Sequence, residues 1–243
     1  MPAKLTGPEM NIILLPGFMT DASLWDDLLP TLQAIARVKA VDLSGTTTMA
    51  EMADLVLAEG PDTFVLIGFS MGGYVAREVV RKSPERVTAL ILIATSARGD
   101  TDEQAKGKKL SVKLVDPERF HGLSRGAIIS SLHQSRSSDE AMIQRVRTMS
   151  EHVGADVFIR HANEARGGDL ERLHAITCPS LVIAADGDRL RTLDEARELV
   201  HGIVGSSLIV IEGSGHMIPI EQPQALTGAI IPWLEKVKDR APR

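Results

Sequence analysis

One cysteine, Cys178, is all the chain carries in 243 residues, so no intramolecular disulfide can form and no cysteine-rich metal site can be assembled. That usage suits a reducing compartment, and a cytoplasmic location is expected. Positive charge is also short: the net charge is −5 and the pI is about 5.8, which argues against a broadly basic surface and so against nucleic acid or an anionic membrane as the main partner. No apolar run approaches the roughly 18 residues needed to cross a bilayer. The opening MPAKLTGPEM lacks the apolar core of a leader, so neither export nor anchoring is expected. Internal repeats and low-complexity tracts are absent. A small-molecule ligand is the partner class that remains; the oligomeric state is not legible.

What is present is an alternation of two periods. A hydrophobic content of 44% is enough for one substantial core. From residue 11 the chain reads as strand (NIILLPG), helix (residues 22–35), strand (RVKAVDL), helix (48–58), strand (TFVLIGF), helix (71–82) and strand (VTALILIATS). These strands are nearly continuous apolar runs, which suits a mostly parallel sheet covered by helices on both faces better than a half-wet antiparallel one. The rhythm then stops for about 80 residues of polar, helix-like sequence. It resumes with a strand in PSLVIAADG, a helix in DEARELVHG, a strand in SSLIVIEG and a last helix from about residue 222 to 238 that contains Pro232. The expected organisation is therefore an α/β core made from residues 1–96 and 176–243, interrupted by a helical insertion, residues 97–175. The insertion holds 13 Lys and Arg against 12 Asp and Glu, so its KGKKLSVK stretch reads as a solvated helix face.

The chemistry concentrates in three short stretches. GFSMG, residues 68–72, matches G-x-S-x-G where a strand passes into a helix, the context that gives the pattern meaning. A strand that reverses sharply into a helix strains its middle residue and crowds its neighbours; glycines at 68 and 72 clear the space and Ser70 is held out above the sheet edge. The helix start aims backbone N–H groups, that of Met71 first, at a developing oxyanion. Taken alone the pentapeptide also fits a plain Gly-Ser turn. A serine nucleophile needs a base oriented by a carboxylate. GSGH supplies His216 after the last strand, and AADGD supplies Asp186 and Asp188 after the strand before it. The order Ser, Asp, His is the one this architecture uses.

Those motifs, GFSMGG, AADGD and GSGHMIPIEQP, resemble the nucleophile elbow, acid turn and histidine loop of the α/β-hydrolases, over residues 11–96 and 176–239. The resemblance implies Ser70 as nucleophile, His216 as base and Asp188 at the acid position, with Asp186 two residues earlier as its competitor. It also implies an oxyanion hole from the N–H groups of Met71 and Phe18. The latter lies in LLPGFMTDASLW, where Pro16 replaces the histidine usual in the family, as in a subgroup opening with LLPG. The segment before the first strand is shorter than the hairpin that usually begins this fold, so about six strands are expected. DLSGTTTMAEMA stands where many relatives carry a longer loop rich in glycine and histidine.

The function this implies is hydrolysis of a small carboxylic ester or related acyl compound through an acyl-enzyme, with no cofactor and no metal, the insertion covering the site as a lid. Met19, Met217 and Ile218 adjoin the site as pocket candidates, although methionines beside a core strand equally serve packing. His121, His133, His152, His161 and His174 make no i, i+4 pair with one another and have no cysteine companions, which disfavours metal binding. Cys178, before Pro179 at a strand start, reads as a buried structural thiol. A lactonase or a C–C bond hydrolase uses the same three residues, and a hydrolase-fold sensor with little turnover is the alternative from another class.

Overall fold

The computed structural model describes residues 10–240. The first nine residues, on which the expectations of no leader and no initial hairpin partly rest, lie outside them. Six strands, β1 (Asn11–Leu15), β2 (Arg37–Ala40), β3 (Phe64–Phe69), β4 (Val87–Ile93), β5 (Ser180–Ala185) and β6 (Ser207–Ile211), form one parallel sheet in the order β2-β1-β3-β4-β5-β6. The central strands are buried on both faces, as their uninterrupted apolar sequences require.

Alternate residues feed two cores. Ile12, Leu14, Val65, Ile67, Phe69 and Ile91 point to one face, while Ile13, Leu15, Phe64, Leu66, Leu90 and Leu92 point to the other. The second face is covered by α2 (Met49–Glu59), α3 (Met71–Lys82) and α8 (Leu193–Gly202). The first face meets α1 (Leu29–Gln33) and α10 (Pro223–Arg240), which accommodates Pro232 within its span. Helix α2 starts at a Thr48–Glu51 capping box, with the Thr48 hydroxyl accepting the Glu51 N–H and the Glu51 carboxylate accepting the Thr48 N–H.

Two sequence expectations are corrected. Residues 22–35 are not one helix: a 3₁₀ turn, Ala22–Trp25, capped by Asp21, is followed by a break before α1. Pro30 in the first turn of α1 has no N–H to give to an upstream helix and disfavours helical backbone before it. The β4 strand also stops at Ile93, short of residue 96, because Ala94 takes a φ of +47° and turns the chain.

Between β4 and β5 the chain forms α4 (Asp102–Leu114), α5 (Arg125–Ser131), α6 (Glu140–Val153) and α7 (Ala155–Asn163), then a 3₁₀ turn at Leu170–Ala175. Ile128, Leu132, Ile143, Val146 and Met149 from this segment join the first core, and α7 brings Phe158 and Ala162 against Met19. The segment is thus packed over the loops at the C-terminal ends of the strands, where open parallel sheets present their ligand crevice. Among the described residues no helix is long and apolar enough to cross a membrane.

Candidate active site

Ser70 stands between β3 and α3 with φ +51° and ψ −111°, a left-handed conformation that costs a non-glycine residue about 1 to 3 kcal/mol. The surroundings hold it there. Its N–H donates to the Ile93 carbonyl at 2.9 Å, and its own carbonyl accepts the Thr95 hydroxyl at 2.7 Å and the Gly73 N–H at 3.0 Å. The two flanking glycines have a steric cause. A Cβ on Gly72 would lie 2.5 Å from the Leu15 carbonyl oxygen and 2.6 Å from that of Pro16, and one on Gly68 would run into the Gly72 carbonyl.

The side chain that this turn presents meets His216. Ser70 Oγ is 2.9 Å from His216 Nε2, and His216 Nδ1 is 2.8 Å from Asp188 Oδ2. A carboxylate only accepts, so Nδ1 carries the proton and Nε2 is left to accept from the serine hydroxyl. The other Asp188 oxygen accepts the N–H groups of Leu190 at 2.8 Å and Arg191 at 3.0 Å, which fixes the carboxylate as well as closing the turn. Asp186 is exposed and directed elsewhere, accepting the Ser214 N–H at 3.4 Å. The His216 ring packs on Phe69, centroids 5.1 Å apart, and its backbone N–H donates to the Ser131 carbonyl at 2.7 Å.

Met71 follows Ser70 in the chain, and Phe18 lines the same cavity as Ser70. Met71 is the first residue of α3, where N–H groups lack intrahelical partners. Phe18 sits in a tight turn after β1, closed by the Thr20 N–H on the Gly17 carbonyl, with Met19 at φ +56° and the Gly17 N–H donating to the Thr20 hydroxyl at 2.8 Å. This turn abuts the elbow: a Cβ on Gly17 would stand 3.2 Å from Ser70 Cβ.

A cavity of about 320 Å³ opens on Ser70 and His216, and Met19 and Met217 line it. Ile218 does not; it is fully buried in the core beside Ile220 and Leu226. A larger cavity of about 690 Å³ lies under α4, α5 and α7 and shares Phe18, Leu123, Ala127 and Arg166 with the first. Sequence reasoning passed over three of the site's polar residues. Arg166 and Arg191 line the Ser70 cavity, and no local motif marks either. Glu221, buried in the first turn after the histidine loop, accepts the Gly215 N–H at 2.9 Å and the His133 N–H at 2.7 Å; its signal was the carboxylate five residues after His216 in an otherwise apolar stretch.

The remaining histidines have ordinary duties. His161 donates from Nε2 to the Thr46 carbonyl at 3.0 Å, and burial pushes its pKa below the usual histidine value against the pull of that bond. His133 bonds Ser135. Among the described residues no group of three His, Cys, Asp or Glu side chains is placed to hold a metal ion. Burial raises the Cys178 thiol above its ordinary pKa, which disfavours the thiolate.

Comparison with known proteins agrees with the architecture. A family model described as the alpha/beta hydrolase family matches residues 12–229. A pimeloyl-[acyl-carrier protein] methyl ester esterase from Vibrio campbellii is 26% identical over 235 residues, covering 86% of this chain and 89% of that protein. A thermophilic esterase from Thermogutta terrifontis superposes with a TM-score of 0.83 at 30% identity, over 96% of this chain and 92% of that one. An enol-lactonase from Burkholderia xenovorans LB400 shares the fold at a TM-score of 0.83 and 20% identity, over 94% of this chain and 92% of that one. With a parallel six-stranded sheet, a strained serine between β3 and α3, and a family match across most of its length, the chain belongs to the alpha/beta hydrolase family.

Proposed function

We propose that this protein is a carboxylic ester hydrolase that works through an acyl-enzyme, with Ser70 as nucleophile, His216 as general base and acid, and Asp188 as the group that orients His216. The observation that carries the reading is the unbroken hydrogen-bonded relay of 2.9 Å from Ser70 to His216 and 2.8 Å from His216 to Asp188. The esterases among its relatives support the choice of bond.

In this mechanism Ser70 Oγ attacks the ester carbonyl carbon as its proton passes to His216 Nε2. The carbonyl electron pair moves onto oxygen, and the N–H groups of Met71 and Phe18 receive the oxyanion. Collapse expels the alkoxide, which takes the proton from His216 and leaves as alcohol. Water then enters, gives a proton to His216 and attacks the acyl carbon; the second tetrahedral intermediate collapses to the acid as Ser70 Oγ leaves and takes that proton back from His216. Asp188 stabilises the imidazolium formed at each stage.

Residues 97–175 act as a lid in this reading. Their helices roof the Ser70 cavity and wall the adjoining apolar one, and they select what reaches the serine. An ester whose apolar part occupies the larger cavity under α4, α5 and α7 fits this arrangement. A cavity already formed around an aligned relay favours repeated turnover over a sensor that binds and holds.

Exposure to a small fluorophosphonate followed by peptide mass spectrometry, beside turnover of a short-chain 4-nitrophenyl ester, tests the assignment. One adduct on Ser70, absent in Ser70→Ala, together with multiple turnovers supports it. Turnover surviving in Ser70→Ala overturns it.

A further inference from the structure

Two arginines face the Ser70 cavity, and their charges are poorly answered. The Arg166 guanidinium makes no hydrogen bond or ion pair among the described residues, and its Nε is buried without a partner. It lies 5.7 Å from the centroid of the Tyr74 ring, which Arg77 also covers at 4.6 Å. Arg191 lies 5.9 Å from the same centroid. Its link to Glu195 is long, 3.4 Å, and the second Glu195 oxygen is taken by the Thr192 N–H at 2.7 Å. Tyr74 stands one helical turn after Ser70 on α3, and its hydroxyl donates to the Arg98 carbonyl at 2.8 Å, so the ring that both guanidiniums approach is fixed.

The surrounding carboxylates do not neutralise the pair. Asp100 is occupied by Lys108 and by the Arg166 backbone N–H. Arg166 and Arg191 line the Ser70 cavity and Lys108 and Arg166 the adjoining one, and the carboxylates bonded to these three residues number two, Asp100 and Glu195. Burial first, and the Arg191 charge second, push the Arg166 pKa down; burial and the Arg166 charge do the same to Lys108. A partly buried guanidinium with a free fork and a like-charged neighbour is an unfavourable arrangement unless an anion completes it. Guanidinium forks match the two oxygens of a carboxylate.

We propose that Arg166 and Arg191 form an anion subsite within the Ser70 cavity, and that the ester hydrolysed there carries a second, ionised carboxylate which these guanidiniums bind. The inference rests on the esterase reading above and sharpens its substrate class to half-esters of dicarboxylic acids or esters of hydroxy acids. Arg166 and Arg191 are then specificity residues that take no part in the bond changes at the ester. The common wall of the two cavities at Arg166 places the anionic group beside the apolar chamber, so a short apolar chain between ester and carboxylate is accommodated.

The test compares kcat/KM for monomethyl glutarate, with the carboxylate on the acyl side, and acetoxyacetate, with it on the alcohol side, against the neutral esters methyl butyrate and ethyl acetate. The intact protein is expected to favour one of the acidic esters over its neutral counterpart by about 10- to 100-fold, the scale of a charged hydrogen-bonded contact. In Arg166→Gln and Arg191→Gln that ratio should fall toward one, chiefly through KM, and Arg166→Lys should retain part of it. Because both esters are measured on the same sample, partial misfolding leaves the ratio unchanged and does not mimic the result. Neutral esters turned over as fast as both acidic ones, or a ratio intact in both glutamine variants, overturns the subsite. Absence of turnover on every ester together with an unlabelled Ser70 would instead remove the esterase reading itself.

Discussion

The Asp169 carboxylate grips the Arg77 guanidinium with two hydrogen bonds, 2.9 Å to Nε and 2.8 Å to Nη2, and takes a third from Arg81 at 2.7 Å. Arg77 is fully buried on α3, the helix that begins at the elbow, and Asp169 lies at the end of the segment between β4 and β5. The pair therefore clamps the chain returning from the helices between β4 and β5 to the helix that follows Ser70. Arg77 also donates to the carbonyls of Gly73 and Ser96, so its donors are well used only while Asp169 is ionised.

Asp169→Asn should destabilise the fold by about 3 to 5 kcal/mol, because it strands a buried guanidinium, and lower the melting temperature by about 10 °C for a chain of this size. Burial alone would raise the Asp169 pKa, but Arg77 and then Arg81 outweigh it and hold the carboxyl below its ordinary 3.8. A depressed carboxylate binds fewer protons in the folded state. Its contribution is thus complete above the unfolded value near 3.8 and is lost as pH falls through the folded value. Denaturation from pH 7 to pH 2 should show the gap between the natural protein and Asp169→Asn closing only below about pH 4. A gap that is constant across the series would mean the carboxylate charge is not what matters.

Ser70→Ala and His216→Ala should each abolish nearly all ester turnover, by about 10⁴-fold or more, with the melting temperature little changed. The two aspartates separate cleanly. Asp188→Asn presents an amide to His216 Nδ1 and should cost several orders of magnitude in kcat, whereas Asp186→Asn touches only the Ser214 backbone and should cost less than a few-fold. Steady-state kinetics of the four variants checks both statements, and the reverse ranking of the aspartates would reassign the acid.

The strand-elbow-helix unit at residues 64–82 was legible because its determinants are local: a six-residue apolar run, then a helical period, with glycines either side of the serine. Which aspartate meets His216 was less legible, since Asp186 and Asp188 share one turn and differ only in which way it throws them; hydrogen bonds from Leu190 and Arg191 to Asp188 decide that, and they depend on the whole loop. Ile218 misled for a related reason. It opens the short helix α9 (Ile218–Glu221), which turns it into the core while Met217 stays at the cavity. Arg166 and Arg191 were invisible because an arginine in a polar loop reads as solvated, and only the tertiary placement of two distant segments against Tyr74 brings them to one cavity.

Gly72→Ala tests the steric account of the elbow. The new methyl would press on two backbone carbonyls, Leu15 and Pro16, that belong to the central strand β1 and its turn and cannot rotate aside. Relief requires β1 and α3 to separate, which moves Phe18 and Met71 relative to Ser70. The expected result is a loss of about 2 kcal/mol or more in stability, typical of overpacking, and a fall in kcat at least as large as the fall in 1/KM. Gly107→Ala, on exposed helix α4 with open space around the added methyl, is the matched control and should be neutral or stabilising. Equal behaviour of the two variants would refute the crowding argument.

Glu221 is the remaining lever on His216. Its two oxygens fasten the Gly215 N–H, next to the imidazole-bearing residue, and the His133 N–H from the segment after α5. Glu221→Gln keeps one acceptor and turns an amide NH₂ toward the other donor, so one buried N–H goes unpaired at a cost of about 1 to 3 kcal/mol. If the histidine loop is positioned by this carboxylate, kcat should fall several-fold with KM nearly unchanged. The pH dependence runs opposite to that of Asp169. Burial raises the Glu221 pKa above its ordinary 4.5, more than the N–H groups of His133 and Gly215 lower it, so the folded state holds its proton more tightly than the unfolded one. The glutamate's contribution is then greatest in acid and declines as pH rises from about 4.5 through the folded value. Glutamine does not titrate, so in denaturant titrations from pH 4 to 8 the advantage of the natural protein over Glu221→Gln should shrink with rising pH. An advantage that grows over the same range would mean the two N–H bonds dominate burial, and that Glu221 holds the loop as a fully ionised carboxylate.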